Sequence, residues 1–578
     1  MLWRFKRTLF QLPCVFLEIM PDRTRLLPLF LLALFPLNGS VITDALKSEL
    51  TRSMEHLKKQ PMPPYFLSYE LIETESTGVS GSFGSLVSSA PVSRRRQLGI
   101  DLRVGSYQLD NTHPIRGAMG NMFDTYSFYQ MPIEDDPDAL RAMLWYFTDQ
   151  KYKRSVEQFI SVKTNVKVKA EETDKSGDFS SAKPETFDEP NPSALAVNRS
   201  QWEDKVRKYT APFQRYGNIY SVNASLSADR ELRWFVSSDG ASIHTADTSY
   251  HLRLSAFAKA SDGMELPRYE NFYSPTLDGL PNDNEVLEKV KKMIADLMAL
   301  KNAPVMEPYV GPAILSPRAT GVIFHEIFGH RIEGQREKRE NQSQTFRDRV
   351  GQKVLPDFIS VYSDPTERKY GTTLLAGYYK FDNEGVKAQK VTVVENGVLK
   401  NFLMSRLPVD GFPASNGHGR RAPGFNTAGR QSNLLVVASK TVTTEQLKSQ
   451  LIEEVKKKSL PYGLYFEDIA GGFTAVGRGT PNYFEVIPVM VYRIYPDGHE
   501  ELVRGVDLIG TALTAFNKIV AADNRSEAFN GTCGAESGPV PVSAGGPGLL
   551  FSEIEVQKKA KSQEFSPILP PPFDDRKP

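Results

Sequence analysis

The chain has 578 residues, which at about 150 per domain suggests three or four structural units. Forty per cent hydrophobic, 10% aromatic and 24% charged residues exclude a disordered or fibrous protein. Seventy basic against 69 acidic residues give no support to a nucleic-acid binder held by a general electrostatic field, and two cysteines exclude a disulfide framework or a multi-cysteine metal cluster.

Residues 26–37 read LLPLFLLALFPL, with Arg23 and Arg25 before them and Asn38, Gly39 and Ser40 after. A run this short falls below the roughly 20 residues that cross a bilayer core. A basic start, a short apolar stretch and a small-residue exit describe a secretory signal peptide, expected over residues 1–40. Met20 is a cleaner start than Met1. The expectation is an exported protein, periplasmic or extracellular, with no stable membrane span. A membrane anchor, or a buried N-terminal helix in a cytoplasmic protein, is the alternative. Removing the segment takes Cys14 with it and leaves Cys533 as the one thiol.

From Pro61 to Ile133, alternating stretches such as YFLSYELIETES read as strands, and Leu140, Met143, Leu144, Phe147 and their successors to Val166 read as a helix. These define an N-terminal unit at 60–165. Residues 166–199, with EETDKSGDFSSAKPETFDEPNPS at their centre, are expected to be a linker or insertion too poor in apolar side chains to order itself. A central unit at 200–303 opens with a helix, continues through strands over 218–258 and closes with an amphipathic helix at 285–299. A C-terminal unit at 304–557 holds further strands, with hairpin turns at Asn396-Gly397 and Asp497-Gly498. Residues 558–578 read as a disordered tail. The expected class is α+β, with two main lobes of mostly antiparallel sheet.

The sharpest pattern is His325-Glu326-Ile327-Phe328-Gly329-His330. It is like the HExxH zinc helix with one residue added. In a regular helix, positions i and i+5 stand about 140° apart, so the two imidazoles cannot share an ion. A π-bulge would realign them, and Gly329 offers backbone freedom for it. The bulge is expected at the start of the C-terminal lobe. His325 and His330 are then metal ligands and Glu326 a general base. An alternative makes Glu326 and His330 the ligand pair and Glu333 the base. A third ligand is needed if one position stays open for water. Cys533, in the glycine-rich GTCGAESGP, is the candidate, and His418 is a rival ligand.

HEIFGHRIEGQ, followed by NGTCGAESGPVPVSAGGP, resembles the TldD/PmbA family of metallopeptidases. DNEG at 382–385, NGHGRR at 416–421, GLYFEDIAGG and RGVDLIGTAL match in register, so the resemblance is specific over 300–560. It implies one divalent metal per chain, zinc by preference, held by His325, His330 and Cys533, with Glu326 as the catalytic carboxylate. It also implies a TldD-like active type, unfolded peptides as substrates, and a homodimer or a heterodimer with a PmbA-like non-catalytic relative. Export departs from the better-known, cytoplasmic members.

The function expected is hydrolysis of unfolded or extended peptides by a metal-activated water. Glu333, Asn416, Arg420 and Arg421 are further candidates for substrate contact, the arginines through forks on a peptide carboxylate. A scaffold subunit with a structural metal and a thiol hydrolase using Cys533 are the rival classes.

Overall fold

The computed structural model describes residues 40–115, 128–166, 174–339, 342–478, 483–511, 515–559 and 569. The expected signal peptide up to residue 39, and the expected tail beyond 559 apart from Leu569, lie outside the described residues. No helix among the described residues is long and apolar enough to cross a membrane.

Helix α1 (Val41–Leu57) buries Ile42, Ala45, Leu46, Leu50 and Met54, a stripe at three- and four-residue spacing. Strands β1 (Pro64–Ser82) and β2 (Ser85–Val104) form a long hairpin. Its two-residue turn, Phe83-Gly84, holds both residues at positive φ, as the twist of the flanking strands requires. The sheet adds β3 (Phe128–Gln130), β4 (Thr186–Asp188), β5 (Ile219–Ser237), β6 (Ser242–Lys259) and β7 (Glu265–Ser274). Its order is β3-β2-β1-β5-β6-β4, with β7 also on β6, and every pairing but β4–β6 is antiparallel. Helices α2 (Pro137–Val166), α3 (Arg199–Thr210) and α4 (Asp283–Asn302) lie against it.

The stretches read as separate units at 60–165 and 200–303 thus share one sheet through the β1–β5 ladder. Alternation along a strand reveals the strand and not its partner, so this pairing left no local trace.

The expected linker is ordered over its described residues, 174–199. Its own buried apolar side chains are Phe179 and Leu195, and the rest of its order comes from partners elsewhere in the chain. Phe179 is buried between the guanidinium groups of Arg103 and Arg406, at 3.7 and 3.9 Å from its ring centre. Asp178 accepts hydrogen bonds from the backbone of Asp110 and faces His113 Nδ1 at 2.7 Å. Ser180 donates its backbone N–H to Arg406 O, and Lys338 Nζ donates to Ser176 O.

Among its described residues the C-terminal half contains two short two-stranded ribbons and two large sheets. One runs in the order Val398–Leu399, Val391–Glu395, Ile359–Ser363, Asn433–Ala438, Gly538–Gly546, Glu527–Ala535. The other joins Gly463–Thr474, Tyr309–Leu315, Leu549–Lys558, Val506–Thr511 and Tyr483–Ile494, and the last pairs back onto the first, closing a ring. Two of the pairings are parallel and the rest antiparallel, so the fold is α+β as expected. A shared core of Phe324, Phe328, Phe346 and Phe516 with Val and Leu side chains fills the space between the sheets. Helix α5 (Pro317–Ile323) lies in that space and leads into the HExxxH residues.

Candidate metal centre

Ser316 starts α5, its hydroxyl accepting the Ala319 N–H, and Pro317 occupies the first helical position. The helix does not continue regularly. Residues Phe324–Phe328 form one π-helical turn, closed by Gly329 N–H donating to Phe324 O, and Gly329–Arg331 tighten into a 3₁₀ turn. This is the expected bulge, and it brings His325 and His330 together with ring centres 5.1 Å apart.

The reason for Gly329 differs from the expectation. Its φ of −59° and ψ of −44° are ordinary helical values that any residue adopts. What forbids a side chain there is Gln431, whose carboxamide occupies the place a Cβ would take. Gln431 Nε2 in turn donates to His325 O at 3.2 Å. Gly472 has a similar role, because a Cβ there would lie 2.9 Å from Glu326 Cγ.

Cys533 arrives from the edge strand Glu527–Ala535, opposite Val540. Its Sγ lies 3.3 Å from His330 Nε2, and one ligand atom from each of His325, His330 and Cys533 falls within 4.8 Å of the others. All three are buried. Glu326 Oε2 stands 4.0 Å from His330 Nε2 and remains partly open to solvent. His330 Nδ1 faces Glu333 Oε2 at 3.2 Å. Glu333 is fully buried and accepts Arg336 Nη2 at 2.7 Å, with Arg430 Nε 3.2 Å from its other oxygen. Arg430 also donates to Cys533 O at 2.8 Å, so one guanidinium links the strand of the thiol to the carboxylate behind the imidazole.

Burial favours a neutral Cys533, but His325 and His330 outweigh it and hold the thiol well below its usual range. Burial works against charge on His330 too; the Cys533 thiolate and Glu333 reverse that and lift the ring to about 10. Glu333 lies below the ordinary carboxylate range, burial being overcome by His330 and Arg336. Arg331 is pushed down to about 10 by burial and by Arg336. Its Nη1 donates to Ile327 O at 2.6 Å, satisfying a carbonyl of the irregular turn.

Two imidazoles and a thiolate match a borderline-soft divalent ion, and three protein ligands leave a fourth position for water or substrate. His325 Nδ1 is buried without a hydrogen-bond partner, and a carboxylate behind His330 is the usual device for fixing a ligand ring. The residues fit a zinc-like ion.

His418 is not part of this cluster. It is fully buried, Nε2 is 3.0 Å from Ser363 Oγ and Nδ1 is 3.1 Å from Asn416 O, and burial lowers its pKa to about 4. It is a core histidine with both ring nitrogens engaged. Asn416 gives its side chain to the backbone, accepting Met404 N–H and donating to Phe402 O. Arg421 is paired with the buried Glu70. Neither side chain is free for substrate. Arg420 is buried beside the centre, its Nη1 donating to Gln431 O at 2.6 Å. Glu333 supports His330 instead of facing substrate. Sequence reasoning missed Arg336, Arg430 and Gln431. Only their folded position next to Glu333 and the π turn distinguishes them from other polar residues.

Residues 309–558 match the PmbA/TldA metallopeptidase C-terminal domain. A metalloprotease of Methanocaldococcus jannaschii is 30% identical over 235 residues, 40% of this chain and 48% of that protein. A Haemophilus influenzae metalloprotease TldD homolog is 24% identical over 353 residues, 58% of this chain and 68% of its own length. A Saccharolobus solfataricus zinc metalloprotease TldD homolog is 24% identical over 276 residues, 47% of this chain and 56% of its own length. The chain therefore spans between 48% and 68% of these relatives. Among solved structures, TldE from Thermococcus kodakarensis aligns with a TM-score of 0.60 at 13% identity, over 89% of this chain and 100% of that one. A Thermotoga maritima protein, proposed as a modulator of DNA gyrase, aligns at 0.56 and 16%, over 88% and 99%. At such identities the likeness is one of fold. The C-terminal half is thus similar to a domain found in metallopeptidases. Over residues 309–558 the chain matches the C-terminal domain of the TldD/PmbA family, and proteins named TldD homolog are among its relatives.

Proposed function

We propose that this chain is a metal-dependent peptidase of the TldD type, hydrolysing extended or unfolded peptides. The carrying observation is the convergence of His325, His330 and Cys533 beside Glu326. A divalent ion held there supplies Lewis acidity toward a peptide carbonyl and acidifies a water molecule. Glu326 takes the proton of the attacking water and returns it to the leaving amine. Glu333, fixed by Arg336 and Arg430, orients His330. Cys533 lies on a strand that ends its sheet, and among the described residues no strand pairs with its outer edge. An extended peptide laid along that edge would be read by its backbone, which supports broad sequence tolerance.

Relatives named PmbA homolog and TldE support a paired assembly, a homodimer or a heterodimer with a PmbA-like non-catalytic chain. The apolar run at 26–37 supports export, and periplasmic or extracellular peptides would then be the substrates. Fractionation of the producing cell tests that.

The 3.3 Å Cys533–His330 contact also suits a thiol hydrolase with Cys533 as nucleophile. A chelator separates the readings, stopping the metal enzyme and sparing the thiol enzyme. The decisive variant is Glu326→Gln. It should lower peptide turnover by about 10²–10⁴-fold while keeping the bound ion. Full activity in that variant would remove Glu326 as the base. Stoichiometric metal with no cleavage of any unfolded peptide, alone or with a partner, would favour a scaffold subunit.

A further inference from the structure

Among the described residues, every buried arginine except Arg331 and Arg420 has a carboxylate within ion-pair distance. Arg331 is spent on carbonyls of the π turn. Arg420 is different. It is 7% exposed, its Nη1 meets Gln431 O, and Tyr379 presents its ring face 4.9 Å away. Among the described residues no carboxylate forms an ion pair with it, and Asp382 acts on it only from farther away. A backbone carbonyl and an aromatic face offset only part of the cost of desolvating a full positive charge.

Its place in the fold points to the metal centre. Arg420 pairs with Ala428 in the ribbon Gly419–Arg420 and Ala428–Gly429. That second strand runs directly into Arg430, which binds Cys533 O, and Gln431, which binds His325 O. The guanidinium therefore rests on the stretch that grips both ligand-bearing backbones. Burial and the neighbouring Arg430 work against its charge, and the Cys533 thiolate and Asp382 are the acidic groups that favour it. A divalent ion on the His325–His330–Cys533 cluster would neutralise that thiolate and leave Arg420 with still less compensation.

We propose that Arg420 is a specificity residue that receives a carboxylate of the substrate peptide, either its C-terminal carboxylate or an acidic side chain near the scissile bond. This rests on the peptidase reading of the same site. Both sources offer the planar pair of acceptors that a guanidinium fork recognises. Arg421 cannot serve, because Glu70 already holds it.

The test uses binding to the full-length, metal-loaded Glu326→Gln protein, where turnover does not interfere. Two pairs of unstructured peptides are titrated by calorimetry. One pair differs only in a free C-terminal acid against a carboxamide, the other only in an internal Asp against Asn. At least one acidic member should bind about tenfold tighter than its neutral twin, and which pair responds identifies the source. Adding Arg420→Gln should abolish the preference with metal content unchanged. Should that variant fail to fold, Arg420→Lys, which keeps charge but loses the fork, should weaken the preference severalfold. Equal affinities within both pairs, no binding of either pair, or a preference that survives both substitutions overturns the proposal. If the Glu326-intact chain cleaves nothing while the preference stands, the peptidase reading fails and the carboxylate site remains. If it cleaves peptides without preference, only the carboxylate site fails.

Discussion

The carboxamide of Gln431 fills the volume that a side chain at residue 329 would need, and its Nε2 holds the carbonyl of His325. One residue thus sets the identity of position 329 and anchors the first histidine. Gly329→Ala should therefore force the turn apart, costing about 1–3 kcal/mol of stability and weakening metal binding. Adding Gln431→Ala to that variant should recover part of the stability. A double-mutant cycle by chemical denaturation reads the coupling; strict additivity would deny the contact.

Removal of single ligands tests the cluster itself. His325→Ala and Cys533→Ser should each lose the bound ion on dialysis, measured by elemental analysis of purified protein. His418→Gln should keep it, because both nitrogens of that ring are committed to Ser363 and Asn416. Retention of metal in Cys533→Ser would remove the thiolate from the ligand set.

Glu333 supports His330 from behind and balances Arg336 and Arg430. Glu333→Gln should lower metal affinity about 10–100-fold. It also leaves the buried Arg430 without an ion-paired carboxylate, while Arg336 keeps Glu536 at 2.9 Å, so stability should fall by about 3 kcal/mol or more. Competition with a chromogenic chelator measures the first effect, and urea unfolding the second.

Glu337 gives a pH prediction. Burial raises its carboxyl from 4.5 to about 7, and Oε2 has no hydrogen-bond partner. The folded state holds this proton more tightly than the unfolded chain. The stability tied to it is complete below about 4.5 and is lost as pH rises through about 7. Glu337→Gln removes that loss, so its melting temperature should exceed the parent's at pH 8 and approach it at pH 5. Parallel melting curves across that range check it, and an equal offset at both pH values would contradict it.

Much of this centre is legible in the sequence. The five-residue offset of His325 and His330 demands an irregular turn, because helical geometry leaves no other way to align the rings. Cys533 becomes a candidate because so few thiols exist. What was hidden depends on distant pairing. Arg430 and Gln431 look like any polar pair until the ribbon at 428–429 carries them under the π turn. His418 between glycines looks free until Ser363 closes over it. The β1–β5 ladder joins strands more than a hundred residues apart, and the stretch at 174–199 takes its order from Arg103, Arg406 and Lys338.

That last stretch has a practical consequence. Residues 309–558 carry the whole ligand set, yet Ser176 and Gly177 hold Lys338, Ser180 holds Arg406, and Glu70 holds Arg421, all from outside that span. A fragment excised at the family boundary would shed these tethers and bare charged surfaces now sealed in the interior. Truncation to a minimal catalytic piece would cut through the scaffold of the site, so engineering of this chain has to proceed on its full length.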